Sequence, residues 1–375
     1  MANKLAVGIL GATGSAGVEF VRALQSHPQF EVKELYASEK SEGKTFEEAC
    51  TLDIDDVSSE IKRLKIKGMN GINKDLDLIC SALPGEIARN IEGNCAEHTP
   101  VISTTSAYRY ESDVPILITE INPFHVNLLA VQKSRGGEGW IAPGPNCTTV
   151  GLVMSLAPIY KNLGIKRVIM SSYQAVSGGG YPLIQEWKKQ KTSELPKPLT
   201  LDMIVENPEK QLEGNVIGYI PKEESKVNSE TLKILGKYKD ETIMPAKFYI
   251  DCFCARVPTL KGHFETVFVE TKKSCSVEGL NEIYEEFNSN TKRMYGHLFS
   301  SPEKTLTVIE RAPQPYFDVN LDNGMTTVIG RIEKNNCFDK GIKYQVLSNN
   351  TERGAAKGMV HVAEFLIGMN FLDEK

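Results

Sequence analysis

Gly11-Ala-Thr-Gly14-Ser-Ala-Gly17 constrains this chain more than any other feature. It follows the apolar run Lys4–Leu10 and precedes the helically spaced Val18, Val21 and Leu24. A glycine cluster between a buried strand and a helix permits a tight turn and close backbone approach. The next apolar stretch, Glu31–Ser38, completes a β-α-β unit of about 30 residues, the length a parallel crossover needs. Strand-like runs at 76–83, 100–104 and 140–147 continue the alternation. Strands alternating with helices predict an α/β fold with a Rossmann-like, doubly wound parallel sheet.

The pattern changes after Cys147. A helix is expected up to Gly164, then long β-rich runs at Arg167–Ser177, Lys247–Thr259 and His263–Lys273. Their β-branched and aromatic residues point to a mixed or antiparallel sheet in an α+β second domain. Residues 186–235 are polar and rich in Lys and Glu, which suits helices and a surface excursion. From Arg353 the tail has apolar positions at Met359, Val362, Phe365 and Leu366. That spacing predicts a helix returning to the first domain. The expected partition is 1–148 with 350–375, and 149–349.

At 375 residues the chain is long enough for two cores. Its 43 basic against 48 acidic residues give a net charge of −5, which does not suit general nucleic-acid binding. The charge-free stretches at 141–160 and 168–185 are broken by Pro, Gly, Asn, Ser or Gln, so no membrane span is expected. Gly-rich turn chemistry follows the first apolar run where a leader would carry a cleavage site, so a cytoplasmic protein is expected. The eight cysteines are dispersed without a CxxC pair, and the six histidines do not join them at metal spacing. Reduced thiols and no metal site follow.

Three segments carry chemistry. The glycine loop, through Gly11, Thr13, Gly14, Ser15 and Ala16, opens a helix N-terminus suited to a pyrophosphate, and Ser81 in the strand-like run 76–83 is a further cofactor candidate. Ser38, Lys40 and Ser41 follow the second strand, where NAD sites usually carry an acid for the ribose hydroxyls. They suit a 2′-phosphate and favour NADPH, while Glu39 leaves some NAD use open. Cys147, in Gly144-Pro-Asn-Cys-Thr-Thr, opens a second helix, where a thiol pKa is expected to fall. His263, just after Gly262, makes a Cys–His pair the candidate nucleophile and acid–base group.

GATGSAG, SALPGE, SAYR, GPNCTT, QAVSGGGY, EESK, RVPTLKGH and NNTERGAAKG occur here in one order. In that order the chain resembles the aspartate-β-semialdehyde dehydrogenase family, most closely its archaeal and fungal branch, over nearly its whole length. The resemblance implies a Rossmann-like domain and a catalytic and dimerisation domain. It implies NADPH-dependent reduction of L-4-aspartyl phosphate to the semialdehyde with release of phosphate, serving lysine, methionine and threonine synthesis. By the same resemblance Cys147 accepts the acyl group, His263 is the acid–base, and Gln174 positions the thioester. Arg256 would clamp the substrate carboxylate and Glu223 its ammonium. Lys226 and Arg109 would hold the phosphate, with Asn146 beside the nucleophile. Ser177 and Gly178 would approach the nicotinamide, and Asn350 would lie near the cofactor. A homodimer or homotetramer is implied.

Thr104-Thr105, Gly179 and a long 183–215 stretch depart from the family's usual pattern and bear on the substrate-side loop and subunit contacts. A malonyl-CoA or succinyl-CoA reductase would share the Cys, His and glycine loop, but has no use for an ammonium-binding Glu223. N-acetyl-γ-glutamyl-phosphate reductase is a weaker fit, because its nucleophile motif differs from PNCTT. A nucleotide-binding thiol sensor would need none of Arg109, Glu223, Lys226 and Arg256.

Overall fold

A computed structural model describes residues 3–192 and 211–373. The centre of the long 183–215 stretch therefore lies outside the described residues. The first sheet contains β1 (Leu5–Leu10), β2 (Phe30–Tyr36), β3 (Ile66–Lys67), β4 (Leu78–Ser81), β5 (Val101–Ser103) and β6 (Ile141–Pro143). Its order is β3-β2-β1-β4-β5-β6, and every pairing is parallel. The order reverses between β1 and β4, which opens a crevice at their carboxyl ends where nucleotides bind in such sheets. The strands are shorter than the apolar runs that announce them, because the flanking residues turn into the loops of that crevice.

The remaining strands are β7 (Ile165–Gln174), β8 (Lys237–Lys239), β9 (Thr242–Met244), β10 (Tyr249–Arg256), β11 (His263–Thr271), β12 (Leu306–Ile309), β13 (Thr327–Asn335) and β14 (Gly341–Ser348). Six form a mixed sheet in the order β10-β7-β11-β14-β13-β12, while β8 and β9 make a separate hairpin. Helices Cys147–Leu163, Glu223–Ile234 and Val277–Tyr295 cover one face. The core there joins Leu152, Met154 and Leu156 to Val168, Met170, Val267 and Val346. The opposite face leaves Ile169, Tyr249 and Phe253 exposed, Tyr249 by 83%.

Helix Ala356–Gly368 packs against helix Ser15–Leu24 of the first sheet's layer. Met359, Val362, Phe365 and Leu366 share a core with Val7, Ile9, Val18 and Val21. The chain thus ends on the sheet with which it began. Because the segment between Ser348 and Ala356 must cross from β14 to that helix, it runs past the N-terminus of the Cys147 helix.

Candidate active site

Asn146 caps the Cys147 helix. Its Oδ1 accepts from the Thr148 and Thr149 backbone N–H groups at 2.9 and 3.2 Å. This satisfies two of the donors a helix start leaves open and holds Cys147 at the first helical position. Cys147 Sγ lies 3.2 Å from His263 Nε2. The other ring nitrogen, Nδ1, accepts from the Ala175 N–H at 3.1 Å. His263 is fully buried, and burial, with Arg256 nearby, pushes its pKa down to about 3.

The thiol corrects one expectation. Burial, reinforced by Glu223, pushes Cys147 up to about 12, against the opposing pull of Arg256 and Arg109. The helix terminus does not lower the thiol pKa below its ordinary value, because desolvation of the thiolate outweighs it.

Arg256 ends β10 beside Gln174 on β7. Its Nη1 donates to the Ala175 carbonyl at 2.8 Å. The Gln174 side chain is buried and donates to Ser172 Oγ at 3.3 Å. Gly178 has no room for a side chain: an added Cβ would stand 2.7 Å from Arg256 Nη1 and 3.0 Å from the His263 ring. The Ser177–Gly178 backbone therefore lies directly against both groups. Asn350 ties this loop to the histidine, accepting from Gly262 N–H at 2.9 Å and donating to Ser177 Oγ at 2.8 Å.

Glu223 opens its helix and lies 6% exposed. Its Oε1 accepts from Asn146 Nδ2 at 2.8 Å, and its Oε2 lies 3.4 Å from Lys226 Nζ. Lys226 keeps 30% side-chain exposure at the mouth. Arg109 is more heavily committed. Nε donates to Gly144 O (2.7 Å), Nη2 to Thr104 O (2.9 Å) and Pro145 O (3.1 Å), and Nη1 to Glu230 (3.1 Å). These contacts use four of its five N–H groups and fasten the loop that carries Cys147.

Sequence reasoning missed Glu230. Fully buried, it accepts the Asn146 N–H at 2.6 Å as well as Arg109. Glu223, Val227 and Glu230 are spaced to share one helix face, so helical periodicity from Glu223 carried a signal for it. Gly354 was also missed; a Cβ there would approach Cys147 Cβ to 3.1 Å. Arg353 beside it is held by Glu120 through two hydrogen bonds of 2.8 and 2.6 Å.

The cofactor candidates gather at the first sheet's crevice. Gly11 has φ +75°, and a Cβ would meet the Ala82 carbonyl at 2.6 Å. Helix Ser15–Leu24 has Gly14 at its cap and no capping side chain, so its first N–H groups face the crevice. Ser15 Oγ is buried there without a protein partner. Thr13 and Ala16 flank it, and Ser81 ends β4 fully buried. Ser38 and Lys40 are exposed beyond β2, and the Ser41 N–H closes a turn onto Ser38 O at 2.8 Å. An uncapped helix start with an orphaned hydroxyl fits a dinucleotide pyrophosphate. No cluster of metal-ligating side chains occurs among the described residues.

A doubly wound nucleotide-binding sheet joined to a mixed sheet, with a Cys–His pair brought together between them, fits the class of dinucleotide-dependent enzymes. Residues 6–129 match the semialdehyde dehydrogenase NAD-binding domain, and residues 156–353 match the semialdehyde dehydrogenase dimerisation domain. The chain belongs to the semialdehyde dehydrogenase family and is an oxidoreductase. It is 38% identical to the aspartate-semialdehyde dehydrogenase of Archaeoglobus fulgidus, over 97% of this chain and 98% of that one. The Methanothermobacter thermautotrophicus enzyme of the same name is 35% identical over 96% and 98%. The malonyl CoA reductase (NADP) of Metallosphaera sedula is 32% identical over the full length of both. The crystal structure of Candida albicans aspartate semialdehyde dehydrogenase with NADP superposes with a TM-score of 0.82 at 29% identity, covering 99% of this chain and 100% of that one.

Proposed function

We propose that this chain reduces L-4-aspartyl phosphate to L-aspartate 4-semialdehyde, releasing phosphate, through a thioester on Cys147. The observation that carries this reading is the 3.2 Å Sγ–Nε2 contact at a capped helix start, with Arg256 and Glu223 beside it. Bound NADPH supplies the hydride. The glycine loop and Ser15 would hold its pyrophosphate, and Ser38, Lys40 and Ser41 its 2′-phosphate. Ser177 and Gly178 would carry the nicotinamide toward Cys147. Arg256 offers a planar fork to the substrate carboxylate, and Glu223 a buried anion to its ammonium. Gln174 would position the acyl group. Lys226 meets the phosphate, with Arg109 contributing its remaining N–H and holding the loop.

A CoA thioester of a dicarboxylic acid is the second reading, favoured by the full-length Metallosphaera relative. Glu223 argues against it, since such a substrate has no ammonium for a buried carboxylate. We further propose that residues 1–148 and 350–375 form one domain and 149–349 the other. A homodimer or homotetramer would assemble through the exposed aromatic face of the second sheet, in a cytoplasmic setting. No helix among the described residues is long and apolar enough to cross a membrane.

The test is the reverse reaction. Aspartate semialdehyde, NADP⁺ and phosphate should yield NADPH, with no turnover when phosphate is omitted. Cys147→Ser should abolish turnover while leaving NADPH binding intact. Phosphate-independent turnover, efficient malonyl-CoA reduction in its place, or an active serine variant would overturn the reading.

A further inference from the structure

We propose that Arg353 is a positioning residue for the hydride step: through Glu120 and Met154 it fixes the place of Cys147 relative to the Ser177–Gly178 loop. This rests on the reading of Cys147 as the nucleophile and of that loop as the seat of the nicotinamide. One short segment touches both. Asn350 donates to Ser177 Oγ at 2.8 Å and accepts the Gly262 N–H at 2.9 Å. Four residues on, a Cβ at Gly354 would stand 3.1 Å from Cys147 Cβ and 3.0 Å from the Asn350 backbone. The turn between them is closed by Asn349. Its Oδ1 accepts the Thr351 and Glu352 N–H groups at 3.0 Å each, and its carbonyl accepts the Gly354 N–H at 2.9 Å. Asn350 and Gly354 therefore move as one body.

Arg353 decides where that body sits. Its buried guanidinium donates to Met154 Sδ at 3.4 Å. Met154 lies seven residues along the helix from Cys147, on the same face and about 10 Å away. Arg353 and Gly354 thus brace one helix at two points, which fixes its direction as well as its distance; a single contact would leave a pivot. Glu120 holds the guanidinium in turn, accepting Nη1 at 2.8 Å and Nη2 at 2.6 Å, the planar fork that a lysine cannot make. The carboxylate is itself anchored. His361 Nε2 lies 3.3 Å from it, His361 Nδ1 meets Ser300 Oγ at 2.9 Å, and Glu364 accepts the Ser300 N–H at 3.1 Å and meets His27 at 2.7 Å. Close packing does not do this work alone. Glu120, Arg353 and Gly354 line, together with Thr104, Gly144 and Pro145, a cavity of about 20 Å³, so the loop before Cys147 has room to shift. A displacement of about 1 Å at a reacting group costs about 100-fold in rate.

The test separates position from stability. Arg353→Met alone would strand Glu120, so the informative protein is the double variant Glu120→Gln with Arg353→Met, which leaves neither partner as an unpaired buried charge. Its denaturation midpoint and its rate of Cys147 alkylation by iodoacetamide should match the parent. KM for aspartate semialdehyde and for NADP⁺ should stay within about threefold, while kcat falls about 10- to 100-fold. In rapid mixing the first turnover of NADPH formation should fall with kcat, and deuterium at the aldehyde carbon should slow it further. Arg353→Lys keeps the charge and loses the fork; it should lose about 10-fold in kcat at unchanged KM, and it carries the test if the double variant does not fold. A kcat within about threefold of the parent in the folded variant, alkylation slowed as much as kcat, or a first turnover insensitive to deuterium would each overturn the inference. If the parent shows no phosphate-dependent turnover, or Cys147→Ser remains active, the proposed function fails. If the parent passes and the Arg353 variants keep its kcat, only the inference fails.

Discussion

Arg256 shows how much one side chain's chemistry depends on being only partly spent. Its guanidinium is 8% exposed, and Nη1 already donates to the Ala175 carbonyl. Burial depresses its pKa, while the nearby Cys147 and Glu223 work in the opposite direction. The donors left over form a planar fork, which a lysine ammonium cannot reproduce. Arg256→Lys should therefore lower kcat/KM for aspartate semialdehyde by about 100- to 1000-fold, or roughly 2.7–4 kcal/mol of transition-state stabilisation. NADPH affinity should fall by much less than kcat/KM, since Arg256 reaches the cofactor side only through the Ala175–Gly178 backbone it supports. Steady-state kinetics and a cofactor titration check both halves. An unchanged kcat/KM would remove Arg256 from the substrate site.

At the scale of elements, two helices and one loop are locked together by Glu230. It joins the Glu223–Ile234 helix to the Cys147 helix through Asn146 N–H and to the Gly144–Pro145 loop through Arg109. Removing one partner of a buried pair strands the other charge, at a cost of about 3–5 kcal/mol. Glu230→Ala should lose stability on that scale in chemical denaturation, with Glu230→Gln intermediate because it keeps an acceptor for Asn146. A loss below about 1 kcal/mol would mean that Arg109 finds another partner. The first sheet, the Cys147 turn and the tail helix were legible in the sequence because hydrophobic period and glycine placement are local signals. Glu230 was not, because its partners lie 84 and 121 residues away and a charge inside EESKVNSE reads as a solvated face. The thiol pKa departs from what its motif predicts for a related reason. A helix terminus is visible in the motif GPNCTT, whereas the desolvation that outweighs it comes from segments folded over Cys147 from elsewhere in the chain.

Across the whole molecule, the segment Asn350–Ala355 links β14 of the second sheet to the helix packed on the first, and charged groups gather beside it. Glu120 is pulled well below the usual carboxylate range, because Arg353 and His361 outweigh the effect of its burial. Glu352 behaves oppositely. Burial and the charge of Glu19, on the first sheet's opening helix, push it up to about 6, with Lys261 and Lys357 opposing. Lys261 Nζ stands 3.9 Å from an oxygen of each carboxylate, two residues before His263. The sign of the linkage follows from the raised pKa. The folded chain holds the Glu352 proton more tightly than the unfolded chain, so stability contributed below the unfolded pKa is lost as pH rises through about 6. Glu352→Gln mimics the protonated acid and removes that loss. The variant and parent should be similarly stable near pH 4.5, and the variant should be more stable at pH 7.5 by at most about 2 kcal/mol. Denaturant unfolding of both proteins across this range measures the difference. A gap that fails to widen between about pH 5 and about pH 7 would show that Glu352 is already ionised, with Lys261 holding both carboxylates as charged partners.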